Sequence, residues 1–300
     1  MKIGLGAVQF GLDYGIANTA GKVSEAEVAA ILAAADALQV GVIDTAALYG
    51  DSEAVLGRAM APDARFDIVT KTPQFAGPVL DASAAQQLED SVLASLSKLR
   101  RAAVYGVLIH RVDDLFLPGG EVLMERLVLL KARGLVGKIG VSVYTGEQID
   151  QVLARFPIDL IQLPINVLDQ RLLQSGHLRK LKLAGVEIHA RSVFLQGLLL
   201  MPPQEIPDYF NGVRERLYAY HRFIATQGLT PLQAALGFVA GLTQIDRLIC
   251  GVNSSQQLQE ICAAAIAGAS DGDSADYAAF AIDDETIVNP ALWHSAKGKK

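Results

Sequence analysis

Gly41-Val42-Ile43-Asp44, Asp67-Ile68-Val69-Thr70-Lys71 and Gly106-Val107-Leu108-Ile109-His110 share one design: a short apolar run that ends on an ionisable side chain. They belong to the runs Val42–Ala46, Ile68–Thr72 and Tyr105–His110, each too short for a globular helix. Their richness in Val, Ile and Leu marks strands buried on both faces. Ile3–Val8, Ile139–Val143, Leu160–Ile165, Val186–Ser192 and Leu248–Val252 are of the same kind. The stretches between them read as helices. Ser24-Glu25-Ala26-Glu27 has the capping-box pattern and opens a helix over Val28–Leu38 that stops before Gly41. Ala84–Leu99, Glu121–Arg133 with Gly134 behind it, and Glu147–Arg155 follow the same logic. Arg214–Thr226 and Thr230-Pro231 through Gly241 supply one helix more than strict alternation requires.

Eight strands alternating with helices, without a break in composition, predict an α/β fold of the (β/α)8 TIM-barrel type. The expected organisation is a single domain over 1–300, with a hairpin-like start and an extra helix before the last strand. A C-terminal tail is expected from about 283 to 300. An open doubly wound sheet is the alternative. Its glycine fingerprint is missing, because Gly4-Leu5-Gly6 leads to Gln9-Phe10-Gly11 with the wrong spacing ahead of the first helix. Pro202-Pro203 with Pro207 marks a loop, and the acidic stretch Ser270–Asp276 is expected on the surface.

The chain has 300 residues, of which 51% are hydrophobic and 19% charged, a composition that fills a core. A formal net charge of −6 provides no basic field for nucleic acid or anionic membrane. Lys297-Gly298-Lys299-Lys300 reads as a solvated end. The two cysteines, Cys250 and Cys262, cannot build a disulfide framework or a cysteine-based zinc cluster. His177, His189, His221 and His294 show no metal-ligand spacing, so no metal is expected. Neither a secretory leader nor an apolar run long enough to span a membrane is evident, and a cytoplasmic protein is the expectation.

Neighbouring parallel strands lie about 4.8 Å apart, so Asp44, Lys71 and His110 should cluster at one rim of the barrel, the rim where this fold does its chemistry. A lone strand-end His is ordinarily a hydrogen-bonded core residue, and a lone Asp–Lys pair is ordinarily structural. Three such residues on successive strands point instead to a site. Tyr49, five residues beyond Asp44, can lean over Lys71, whose charge should lower the phenol pKa and make it a proton donor near neutral pH. Asp44 would hold Lys71 charged, and His110 would orient a substrate oxygen.

These residues resemble the aldo-keto reductase superfamily. The likeness rests on Ile43-Asp44-Thr45-Ala46-x-x-Tyr49-Gly50-x-x-Glu53-x-x-Leu56-Gly57, followed by Val69-Thr70-Lys71 and Leu108-Ile109-His110-Arg111-Val112-Asp113. It continues through Gly137–Ser142, Ile161–Asn166, Ala190–Leu198 and Gly251–Leu258, and so covers roughly residues 1–262. The resemblance implies a small-molecule carbonyl substrate and a catalytic tetrad of Asp44, Tyr49, Lys71 and His110, with Tyr49 as general acid. Ser142 and Gln162 match positions that hold the nicotinamide carboxamide. Arg191 stands where an aromatic often stacks on that ring, and its role stays open. Ser192, in the seventh strand motif, is expected to bind cofactor; Leu195, Gln196 and Gly197 match the loop over the pyrophosphate, while Gly251, Asn253, Gln257 and Glu260 match the lining of the adenosine half. NADP(H) is the family's usual cofactor. Gly251, Ser254 and Gln257 carry no charge where bases often grip its 2′-phosphate, so NAD(H) or dual use stays open. Val143 replaces a frequent Asn, and Ile261 another.

Two other functions compete: a cofactor-binding regulatory barrel, and a lyase that uses Lys71 as a Schiff-base nucleophile. The latter needs a neutral amine, which Asp44 opposes. Trp293 either packs the tail on the barrel or approaches the site mouth. Substrate selection is expected from the loops Phe75–Leu80, Val112–Gly120 and Met201–Phe210. Many similar enzymes act as monomers, and the oligomeric state is open.

Overall fold

All eight apolar runs become strands in the computed structural model, which describes residues 2–61, 63–268 and 274–293. In chain order they are β1 (Ile3–Gly6), β2 (Val42–Asp44), β3 (Asp67–Lys71), β4 (Val104–Ile109), β5 (Val136–Ser142), β6 (Leu160–Pro164), β7 (Glu187–Arg191) and β8 (Arg247–Gly251). Each pairs in parallel with the next, and β8 closes onto β1. The fold is a (β/α)8 barrel.

Side chains alternate across a strand, so every second residue faces the barrel axis. Val42, Val69, Leu108, Leu160 and Ile249 meet as an inner apolar layer. Two residues further along the same strands come Asp44, Lys71, His110, Gln162 and Gly251. One step along the axis therefore turns an apolar plug into a polar floor. Toward the opposite mouth, β3, β7 and β8 start on Asp67, Glu187 and Arg247, and Lys138 is the third residue of β5.

The helices are α1 (Glu25–Ala37), α2 (Ser52–Ala59), α3 (Ala82–Leu99), α4 (Glu121–Ala132), α5 (Gly146–Arg155), α6 (Arg171–Gln174), α7 (His177–Leu183), α8 (Arg214–Thr226), α9 (Pro231–Gly241), α10 (Ser255–Gly268) and α11 (Glu285–Val288). Their apolar faces cover the outward strand residues. Val28, Ile31, Leu88, Leu127 and Ile149 join Ile43, Ile68, Val107 and Ile161 in one buried core. Each fully buried Leu, Ile or Val contributes about 1.5–3 kcal/mol against chain entropy. The extra helix lies where expected, since α8 and α9 both fall between β7 and β8.

Three features depart from the sequence reading. The start is not a hairpin: Ile3–Gly6 pairs in parallel with β8 on one side and, through Leu5 and Gly6, with β2 on the other. With both edges occupied, no antiparallel return can form. At α1 only half of the capping box forms. The Ser24 hydroxyl accepts from the Glu27 amide at 3.3 Å, but the Glu27 carboxylate crosses to α10 and accepts from the Ser255 amide at 2.7 Å. Third, the loops 75–80 and 112–120 are tied to each other: Arg111 donates to Asp114 at 2.6 Å and to the Phe75 carbonyl at 2.6 Å. The basic end 297–300, His294 and most of the stretch 270–276 lie outside the described residues. Among the described residues, no single helix is long and apolar enough to cross a membrane.

Candidate active site

Asp44 and Lys71 end adjacent strands, and their side chains meet beneath the C-terminal mouth of the barrel. The Lys71 ammonium donates to both Asp44 carboxylate oxygens, at 2.8 and 2.7 Å, and to the Thr45 carbonyl at 2.9 Å. Burial by itself would lower the amine, but the Asp44 charge and these bonds hold it above its ordinary value. A fully charged, thrice-bonded ammonium is a poor Schiff-base nucleophile. Gln162 on β6 donates to Asp44 Oδ1 at 2.7 Å. The amide that resemblance assigns to the nicotinamide is thus spent on the carboxylate.

Tyr49 hangs over this pair from the β2–α2 loop. Its hydroxyl lies 3.4 Å from Lys71 Nζ, which also sits 4.9 Å from the ring centroid. Two glycines make the approach possible. A Cβ on Gly11 would lie 1.8 Å from the Tyr49 carbonyl oxygen, and Gly50 has φ +58° with the Gly11 oxygen 2.5 Å from where a Cβ would be. The expected lowering of the phenol does not occur. Burial raises it above 10, and Lys71 pulls it back only in part. The desolvation of a buried phenolate outweighs the attraction of the Lys71 charge. A phenol that keeps its proton is still the form a general acid requires.

His110 meets the Tyr49 ring edge-on, with centroids 5.9 Å apart. Burial first, then the Lys71 and Arg191 charges, push its imidazole down to about 3, so it is neutral near pH 7. Its Nδ1 is buried without a partner. Arg191, at the end of β7, stacks 4.1 Å over the Tyr144 ring and donates to the Val143 carbonyl at 3.1 Å.

A cleft of about 880 Å³ runs from Asp44, Tyr49 and His110 past Ser142, Gln162, Arg191, Ser192, Gln196 and Gly197 to Gly251, Asn253, Gln257 and Glu260. Two candidate residues do not line it: Lys71 lies beneath Asp44 and Tyr49, and Leu195 is fully buried as an anchor of its loop. The backbone is left-handed at Ser192 (φ 59°), Leu195 (49°), Gln196 (53°) and Gly197 (94°). Gln9, Tyr14, Asn18 and Tyr144 also line the cleft and went unnoticed in the sequence. Gln9, Tyr14 and Asn18 follow β1 and Tyr144 follows β5, so the rule that chemistry sits after barrel strands could have found them. Burial pushes the Tyr14 phenol up to about 12. Trp293 does both things considered for it, donating to the Ile287 carbonyl at 3.1 Å and packing 4.9 Å from Phe210 while lining the cleft. The loops 75–80 and 112–120 line a separate, smaller cleft, and Leu200, Leu232, Pro290, Ala291 and Trp293 are among the residues that line the main one. Among the described residues no His, Cys, Asp and Glu group of three or more is placed to hold a metal.

A closed parallel barrel with Asp, Lys, Tyr and His gathered at its C-terminal mouth defines a class of barrel enzyme. The chain belongs to the aldo/keto reductase family, whose model matches residues 2–277. Membership implies NAD(P)H-dependent carbonyl reduction. Among solved structures, the holo form of the aldo-keto reductase AKR11C1 from Bacillus halodurans superposes with a TM-score of 0.73, at 18% identity over 98% of this chain and 94% of that one. PA4992 from Pseudomonas aeruginosa, assigned as an aldo-keto reductase, has a TM-score of 0.67 and 23% identity over 90% and 91%. At these identities the likeness speaks for the fold. No curated protein matches the chain significantly.

Proposed function

We propose that the protein reduces an aldehyde or ketone to an alcohol with NAD(P)H, Tyr49 giving the proton. The observation that carries this is the buried, protonated phenol held 3.4 Å from a charged Lys71 at the floor of a cleft of about 880 Å³. The cleft fits such a cofactor on two counts. Three consecutive left-handed residues, two of them not glycine, are strained backbone of the kind kept at ligand clamps. Gln9 Oε1, Gln196 Oε1 and Asn253 Oδ1, all on cleft residues, are buried without partners. Ser142 and Arg191 would hold the nicotinamide end beside Tyr49. The 192–197 loop would hold the phosphates, and Gly251, Asn253, Gln257 and Glu260 the adenosine end. When bound, the cofactor supplies the hydride.

The chain's own part is to place and polarise. Asp44, braced by Gln162, fixes Lys71. Lys71 favours negative charge as it develops on the Tyr49 oxygen. Neutral His110 positions the substrate oxygen so that the phenol proton moves onto it as the carbonyl becomes an alcohol. Tyr49→Phe should lower turnover about 10²–10⁴-fold, the usual worth of a general acid, with nucleotide affinity little changed. Cofactor oxidation followed across a panel of aldehydes and ketones tests both points. Tight nucleotide binding without turnover on any carbonyl would favour a regulatory role, and near-wild-type reduction by the Phe variant would remove Tyr49 as the acid.

A further inference from the structure

The carboxylate of Glu27 leaves its own helix to occupy the first turn of another. Its Oε1 accepts from the Ser255 amide of α10 at 2.7 Å. Two further donors near that helix start are satisfied by the chain itself. The Gln257 amide donates to the Ser254 hydroxyl at 3.1 Å, and the Leu258 amide to the Ser254 carbonyl at 3.2 Å. The Gln257 side chain turns back and accepts from the Asn253 amide at 2.8 Å. A helix N-terminus is normally a ready site for a phosphate. This one already holds a fixed anion.

The same turn lines the cleft through Asn253, Gln257 and Glu260. Asn253 Oδ1 is buried there without a partner, an acceptor that suits a ribose hydroxyl and not a phosphate. Among the described residues that line the cleft, the charged side chains are Asp44, Arg191 and Glu260, besides neutral His110. Arg191 is at the tetrad end. The β8–α10 end therefore has two carboxylates, Glu27 behind the wall and Glu260 on it, and no cleft-lining cation. Glu260 is itself bonded to the Gln256 side-chain amide at 2.8 Å.

We propose that this protein selects NAD(H) over NADP(H), and that Glu27, held on the N-terminus of α10, is the residue that enforces the choice. The proposal rests on the reductase reading, in which the adenosine half lies at the β8–α10 end. A 2′-phosphate there would bring about two negative charges to a helix end whose positive potential is already neutralised. The unphosphorylated ribose brings none. Glu27 is a positioning residue in this sense: it acts through α10 and touches no reacting atom.

The test is direct binding of NADH and NADPH, followed by nucleotide fluorescence, to wild type, Glu27→Gln and Gln257→Arg at low and at high salt. Wild type should bind NADH at least about tenfold more tightly than NADPH, since like charges near a protein surface disfavour each other by roughly that factor or more. Raising the salt should shrink the ratio, because screening acts on the repulsion and not on shape. Glu27→Gln should lower the ratio about tenfold and blunt its salt dependence. Gln257→Arg, which adds a cation to the wall without touching α1, should move the ratio the same way, and it serves where Glu27→Gln fails to fold. A wild type that prefers NADPH, or a ratio unmoved in both variants, overturns the selection while leaving the reductase reading intact. Failure of wild type to bind either nucleotide overturns both.

Discussion

A neutral imidazole and a charged one are different tools, and the surroundings of His110 leave only the first. Protonating it would place a third positive charge beside Lys71 and Arg191 in a buried space, which is why its pKa falls to about 3 from 6.5. Carbonyl reduction should accordingly show no acid limb near pH 6.5. The phenol, raised above 10 by burial, should keep its proton through the alkaline side of the usual range. A pH profile of kcat with a limb near 6.5 that disappears in His110→Gln would contradict this. Because burial is the largest cause and Arg191 the smallest, Arg191→Gln should raise the His110 pKa without restoring it to 6.5, which NMR titration of the ring protons can read. At this scale the sequence was a partial guide. It located Asp44, Lys71 and His110 because each ends a short apolar run on one of three successive strands. It misjudged the sign of the Tyr49 shift because desolvation depends on packing from distant segments such as the β1–α1 loop.

The loop that leaves β7 packs on the loop that leaves β1, through the Gln196–Tyr14 hydrogen bond and through Gly197. A Cβ at Gly197 would lie 2.4 Å from the Ala17 Cβ, and the residue has φ +94°. Gly197→Ala should therefore cost about 1–2 kcal/mol from the left-handed backbone alone, with the clash added. The β1–α1 loop must then move away from the cleft that both loops line. A fall of several degrees in thermal midpoint together with weaker nucleotide binding is expected. A variant as stable and as tight-binding as wild type would show that this contact does not shape the cleft. Elements differ in how much of this their local sequence can announce. The helix over 214–226 has the bounds its apolar spacing predicts, and the α9 cap forms as a reciprocal Thr230–Gln233 pair. Ser24-Glu25-Ala26-Glu27 carries the same local signature, but Glu27 finds a better donor on α10, 228 residues away. Local patterns predict local bonds until a distant partner competes. Tyr14 and Tyr144 follow strand ends, which places them at the right rim, but nothing local distinguishes a loop tyrosine that lines a cleft from one that merely packs.

Across the whole molecule, the barrel interior stacks two polar layers on either side of an apolar one, and only one of them faces the cleft. At the lower mouth Glu187 accepts from Lys138, from the Tyr105 hydroxyl at 2.7 Å, and pairs with His189 Nε2 at 2.8 Å. His189 is fully buried, and Asp67 and Arg247 stand nearby, so removing Glu187 would leave several groups without their common partner. Burial works against its charge, but these bonds hold the Glu187 carboxyl well below its ordinary 4.5. The unfolded chain takes up this proton near pH 4.5 while the folded chain resists it. The stability Glu187 provides is therefore complete above that value and is lost as the pH falls below it. Lys138 is partly open to solvent, which screens the pair, so Glu187→Gln should destabilise by about 1–2 kcal/mol near neutral pH rather than the larger cost of a deeply buried break. Urea midpoints of wild type and variant should converge as the pH is lowered through 4.5, while turnover per folded molecule stays close to wild type, because the proposed site lies at the other end of the barrel. A gap in stability that stays constant from neutral pH to below 4.5 would mean that Glu187 acts by packing and not by charge.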